Sequence, residues 1–391
     1  MLSDSLAYQI QSVAIAWHVF SLAHRPFDLG LVGLALFAPI FVLALPAGVF
    51  ADRHDRRRIA AATALIEAVC VIGFLAAVHA HVTALGVYLA ILTVIGAARG
   101  FGTPAVRSLL PNIVEPADYL RAQATYSSLR QITIIGGPAA GGALVALSTS
   151  LALGTSALGL VISALLLNAL RIERVVHEEP PRLRDAFDGL RFIFSRPVVA
   201  GAISLDLFAV LFGGATALLP AFADGVFHVG PAGLGALRSA PAVGAALVAV
   251  LIVRRPLRRR VGPTLLVTVA GFGVATIAFG LSRNFALSLV LLAIAGGADM
   301  VSVVIRSGLV QLATPDAMRG RVNAVENVFI GASNELGEFE SGTLAGFIGV
   351  VPAVVAGGIG TLAIIAFWSV AFPALRRADR IAPAAQETAW P

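Results

Sequence analysis

Residues 48–58 read GVFADRHDRRR, and what flanks them decides the fold. On each side runs a largely apolar stretch of roughly 20 residues, the length that crosses a bilayer as a helix. Gly48 allows close helix contact, Asp52 is expected to end the helix before it, and Arg53, Arg56, Arg57 and Arg58 hold the loop at the headgroups. The same alternation continues along the chain. Of 391 residues, 58% are hydrophobic and 13% charged, with a mean hydropathy of +0.88. A soluble protein would be about a quarter charged, so the two or three soluble domains that length alone allows give way to a polytopic membrane protein. All 28 basic residues are arginine, and the net charge is +6. They sit in short loops between apolar spans, which argues against a nucleic-acid surface. Cys70 is the only cysteine, which excludes an internal disulfide and a CxxC site. No cleavable leader is expected before the first span.

Hydropathy predicts twelve helices, over 2–22, 28–50, 59–80, 83–106, 121–148, 150–171, 197–222, 231–253, 261–281, 284–305, 322–348 and 351–372. Between the sixth and seventh lies a charged segment, 172–196, with Pro180-Pro181 and then an amphipathic pattern at Leu183, Phe187, Leu190, Ile193 and Phe194. It reads as a linker followed by an interfacial helix. The organisation is therefore a six-helix half (1–171), a linker (172–196), a second six-helix half (197–376) and a tail (377–391). Twenty-three of the 28 arginines, Arg306 among them, are assigned to one set of loops and ends. The positive-inside rule makes that side cytoplasmic, with both termini on it, in a bacterial inner membrane. Arg107-Ser108, Leu110, Pro116, Arg121 and Ala124 recur as Arg306-Ser307, Leu309, Pro315, Arg321 and Ala324, at an offset of 199 slipping to 200. A parallel repeat of this kind belongs to carriers that hold substrate near the midplane and rock one half against the other.

The loop after helix two resembles the signature of the major facilitator superfamily, G-x-L-A-D-R-x-G-R-[RK]. Gly48, Ala51, Asp52, Arg53, Arg56 and Arg57 match it, while Phe50 and Asp55 depart. The resemblance implies a cytoplasmic gate, with Asp52 near Gly320–Asn323 and Arg107. The second-half loop, Arg254 to Arg260, keeps the bases and lacks the acid. Helix five carries GGPAAGG, which suits close packing around a proline. It also resembles the exporter-associated motif G-x-x-x-G-P-x-x-G-G through Gly137, Pro138, Gly141 and Gly142, with Thr133 where the first glycine is expected. Within the superfamily, residues 32–58, the stretch from Arg306 and the NELGEFESG helix are similar to the branch that includes the enterobactin exporter and related efflux proteins. Members of that branch carry more chain before the first helix. With Asp4 so near the start, helix one is expected to lack its cytoplasmic end.

Helix eleven poses the chemical question. On a helical wheel Asn323, Asn327, Gly331, Asn334, Glu335, Glu338, Ser341 and Gly342 share one face. Lipid would not tolerate that stripe, so it should face a cavity or another helix. Glu335 and Glu338 lie one turn apart, and in low dielectric double ionisation of such a pair is disfavoured. They are the first candidates for proton coupling or substrate contact, with Asn334 beside them; the alternative is structural pairing, for example to Arg130 or Arg238. Glu326 is expected near the cytoplasmic entrance, within reach of water. Asp4, Asp206 and Asp299 are candidate cavity residues on helices one, seven and ten, by resemblance, and Arg130 and Arg238, both within spans, are candidates to contact an anionic substrate. Glu67, in helix three, is expected to have a structural partner.

No phosphate-binding loop or metal constellation appears, which argues against a primary pump and an enzyme. The expectation is an all-α, twelve-helix secondary transporter exporting a small organic molecule, siderophore-like or drug-like. It would use the proton gradient and no cofactor. Its partners would be that substrate and the bilayer, without nucleic acid, and the chain would act as a monomer. A non-transporting membrane sensor on the same fold is the alternative, and multidrug or macrolide-type efflux competes with siderophore export.

Overall fold

A computed structural model describes residues 2–107, 109–115, 117–170, 183–255, 257 and 259–379. The linker before residue 183 and the tail beyond 379 lie outside the described residues. The first half comprises α1 (Leu2–Ala23), α2 (Pro26–Arg53), α3 (Arg56–His79), α4 (Leu85–Arg107), a short α5 (Leu110–Ile113), α6 (Tyr119–Leu147) and α7 (Thr149–Ala169). The amphipathic helix is α8 (Leu183–Ser195). Then come α9 (Pro197–Gly213), a 3-10 turn (Ala215–Leu218), α10 (Leu219–Gly225), α11 (Gly230–Arg254), α12 (Val261–Leu281), α13 (Phe285–Ala313), α14 (Asp316–Ile348), α15 (Val350–Ala371) and α16 (Pro373–Arg377).

Helix boundaries follow local chemistry. Pro26 opens α2, where its missing N–H costs nothing. Asn284 caps α13, accepting from the Leu287 N–H at 3.0 Å. The α2–α3 corner departs from expectation: α2 continues through Asp52 to Arg53, so Asp52 does not end it. The acid at a helix terminus is Asp55, which accepts from the N–H groups of Arg57 (2.9 Å) and Arg58 (3.3 Å) to cap α3.

Three further boundaries moved. The seventh helix was expected unbroken over 197–222, yet it stops at Gly213 and resumes as α10 after the 3-10 turn. The tenth extends eight residues past its expected end at 305, to Ala313. Thr314 and Pro315 halt it, because a residue before proline is pushed out of the helical region. Arg306 is thus a helix residue, not a loop residue. The eleventh starts at Asp316, directly after Pro315, six residues before its expected start.

Two compact units emerge, one of residues 1–181 with 219–239, the other of 182–218 with 240–391. The first packs α2 on α4, α3 on α4 and α7, and α1 on α6 and α7. Its core includes Val71, Phe74, Tyr88, Leu92 and Leu153. The second packs α12 on α13 and α15, and α9 on α14 and α15, around Leu205, Leu265, Ile305 and Trp368. There α8 also lies on α14, with Ile193 buried among Val199, Val322 and Val325.

Candidate functional site

The first unit buries a charge pair. Arg99 on α4 donates from Nε (2.9 Å) and from Nη2 to Oε1 of Glu67 on α3, and Gln11 Nε2 on α1 donates to the same oxygen. Ser156 on α7 donates to Gln11 Oε1 at 3.2 Å and to the Ala7 carbonyl at 2.9 Å. The guanidinium also lies over the Tyr8 ring, 4.5 Å from its centroid. Glu67 therefore has the structural partner expected of it. Asp4 lies within electrostatic reach of Glu67 and Arg99. Gln11, Tyr8 and Ser156 were not foreseen, since no spacing rule links polar residues on different helices.

The glycines of the helix-five motif are packing surfaces. A Cβ at Gly137 would meet Gln9 at 2.5 Å, and one at Gly141 would meet the Ile10 Cα at 3.0 Å, both on α1. Gly142 turns to α11, where a Cβ would lie 2.5 Å from the Pro231 carbonyl oxygen and 2.7 Å from the Gly235 Cα. Pro138 is buried, and its carbonyl oxygen approaches Gly235. Arg238 on α11 donates to Ser12 Oγ of α1 at 3.1 Å, and Arg130 on α6 is exposed. In the gate motif, Arg57 donates to the carbonyls of Leu170 and, at 3.5 Å, Asn168, tying the start of α3 to the end of α7. Gly48 lies in α2 and Arg56 opens α3. The side chains of Asp52, Arg53 and Arg107 lie outside the description, and so does the predicted approach of Asp52 to Arg107.

In the second unit three helices converge on one guanidinium. Arg306 of α13 contacts Asp206 of α9 through Nη1, and its Nε lies 3.6 Å from Oε1 of Glu326 on α14. Arg306 is 4% exposed and Glu326 9%. This corrects two expectations: Arg306 is a buried helix residue and not a loop residue, and Glu326 is buried and not open to water. Asp299, the middle residue of α13, borders a small cavity with Asp206 and Ser302.

The helix-eleven stripe is divided by packing. Ser341 and Gly342, expected with the polar residues, are buried. Gly337 lets α14 approach the broken end of α9, where a Cβ would stand 2.9 Å from the Leu211 carbonyl oxygen. Asn334 stays exposed, Glu335 and Glu338 are half-buried, and the space beside Gly331 is open.

These features have counterparts in known proteins. The family model described as transmembrane secretion effector matches residues 2–390. The chain belongs to this family of major facilitator transporters. Among its relatives, the enterobactin exporter EntS of Escherichia coli (strain SE11) is 27% identical over 384 residues, 95% of this chain and 89% of its own length. EntS of Shigella dysenteriae serotype 1 is 27% identical over 90% of this chain and 85% of its own. Solved structures share the fold. A variant of the nucleoside transporter NupG superposes with a TM-score of 0.75 at 13% identity, covering 95% of this chain and 97% of that one. An inward-facing bacterial homologue of ferroportin gives 0.70 at 16%, covering 96% and 97%. The chain is thus an all-α multi-pass membrane protein with the major facilitator fold. It is a secondary transporter, not an enzyme.

Proposed function

We propose that this transporter exports a small organic anion in exchange for protons that enter down their gradient, by alternating access of its two halves. The first candidate substrate is a catecholate siderophore of the enterobactin kind. The observation that carries this reading is the relationship to the enterobactin exporters over nearly the whole chain. A catecholate is polar, aromatic and anionic, so it needs guanidinium and ring surface. The first unit offers these in an open surface groove lined by Arg121, Thr125, Tyr126 and Leu129, with the acid Asp118 at its edge, and in the exposed Arg130 of the same helix. A second reading, efflux of amphipathic cationic drugs, is favoured by the half-buried carboxylates Glu335 and Glu338. The positive-inside asymmetry supports an inner-membrane protein with both termini cytoplasmic. No cofactor enters this scheme.

The test is small-molecule profiling of spent medium from an iron-starved, enterobactin-producing host lacking its own exporters, with and without this chain. Enterobactin should accumulate outside only with the chain, and less with Glu335→Gln/Glu338→Gln. Unchanged medium despite folded protein in the membrane would remove siderophore export and turn attention to cationic drugs.

A further inference from the structure

The acids of the helix-eleven stripe are not the only titratable groups at depth, and the second unit holds a set better built to move a proton. The inference rests on the secondary-transport reading above. Asp206 lies nine residues into α9, Glu326 ten residues into α14, and Arg306 seven residues from the end of α13. At a rise of ~1.5 Å per residue, each is about 10–15 Å from the Arg-rich end of its helix, inside the hydrocarbon zone.

The guanidinium is incompletely satisfied. Nη1 is engaged by Asp206, yet the Nε–H is buried and has no hydrogen-bond partner among the described residues. Glu326 waits at 3.6 Å, beyond a good hydrogen bond. A buried charged donor left unmet is costly, and a small turn of Nε toward Glu326 would meet it. The arrangement describes one guanidinium with two near-equivalent seats.

The charge count points the same way. Asp206 and Glu326 share a single Arg306, and Asp299 borders the same small cavity as Asp206. Of the helices packed against α9, α13 and α14, α12 and α15 carry no ionisable side chain, whereas α8 carries Arg184, Asp185, Asp188 and Arg191 and α16 carries Arg376 and Arg377; α12 contributes Val269 and Phe272 to the cavity wall. One carboxylate is balanced by the guanidinium, and holding all three ionised in a dry interior would be very costly. The cavity between Asp206 and Asp299, about 10 Å³, has room for a single water. Such a water would bridge the two carboxyls. Asp299 lies on the same face of α13 as Arg306, two turns away.

We propose that Asp206, Arg306 and Glu326, with Asp299 as the proton's point of entry, form the proton-coupling site of this transporter. A proton taken up at Asp299 passes through the bridging water to Asp206 and forms its O–H bond. The Asp206–Arg306 ion pair breaks, and the guanidinium turns its free Nε–H to Glu326. Loss of the proton on the other side of the membrane restores the first seat. Protonation thereby alternates the tie of α13 between α9 and α14.

The experiment is infrared difference spectroscopy of the purified full chain in lipid nanodiscs through a pH titration, following the protonated-carboxyl stretch. The wild type should show a titrating band, and Asp206→Asn and Asp299→Asn should each remove part of it. Glu335→Gln/Glu338→Gln should leave those parts in place. A wild type without a titrating band, or a band unchanged in both Asn variants, overturns the assignment. Where Asp206→Asn alone leaves Arg306 unbalanced and unfolds the protein, Asp206→Asn/Arg306→Gln gives the same reading with no lone charge. The readout needs no substrate, so a chain that fails to export enterobactin can still pass or fail it. In vesicles that do export enterobactin, Asp206→Asn should keep substrate exchange and lose pH-driven accumulation.

Discussion

Glu67 accepts three donors on one oxygen, two from Arg99 and one from Gln11, and all three residues come from different helices. Removing one member of such a buried pair leaves an uncompensated charge, which costs about 3–5 kcal/mol, whereas removing both charges is often near neutral. Arg99→Ala should therefore lower the melting temperature in detergent sharply, and Glu67→Gln/Arg99→Gln should recover most of the loss. If the double variant is as unstable as the single, the pair acts through packing and not charge. Asp55 is a milder case. Its ion pairs with Arg57 (3.5 Å) and Arg58 (3.6 Å) are partly exposed and add little. Its cap bonds matter more, so Asp55→Ala should cost ~1 kcal/mol, and Asp55→Asn, which keeps the cap, should cost much less. A sequence shows that Glu67 needs a partner, because a carboxyl in an apolar span demands one. It does not name Arg99, since a contact across 32 residues and two helices follows no spacing rule.

Elements are positioned by where backbones can touch. Gly142 of α6 and Gly235 of α11 face each other so closely that a Cβ on either would strike backbone: 2.5 Å from the Pro231 oxygen in one case, 2.6 Å from the Pro138 oxygen in the other. Backbone cannot rotate away as a side chain can, so the helices must part. Gly142→Ala and Gly235→Ala should each destabilise by roughly 1–3 kcal/mol. The pair should be less than additive, because the first substitution already opens the contact that the second would clash with. Thermal melts of the two singles and the double decide this, and full additivity would place the two glycines in separate contacts. The GGPAAGG stretch signalled close packing, but its partner helix was not legible. The break after Gly213 was within reach, because Gly213-Gly214 is a turn signal, but the apolar run on both sides hid it. The ends of α13 and α14 were within reach: Thr314-Pro315 is a helix stop, and Asp316 after it a helix start. Reading Arg306 as a headgroup anchor hid both, and with them the buried cluster.

At the scale of the molecule, nine helices among the described residues are long and apolar enough to cross a membrane by composition alone. The long helices α1, α6 and α14 are not among them. They carry Asp4 and Gln11, Arg121 and Arg130, and the glutamates of the stripe. The twelve-span fold was legible because loops and spans alternate so regularly. The same polar residues that make these three helices the candidates for transport make them poor membrane helices in isolation, and neighbours must shield them. Orientation has a direct test. Loss of Arg306 from the loop count leaves the arginine asymmetry intact, so His81, between α3 and α4, and Arg283, before α13, should lie outside, and Arg259, before α12, inside. In a Cys70→Ser background, which removes the native thiol, an impermeant maleimide added to intact cells should label His81→Cys and Arg283→Cys. It should reach Arg259→Cys, whose native side chain is 74% exposed, only after permeabilisation. The reverse pattern would invert the topology, and with it the side from which Asp299 takes its proton. A pattern in which His81→Cys and Arg283→Cys disagree would break the parallel repeat, since these two loops occupy the same place in each half.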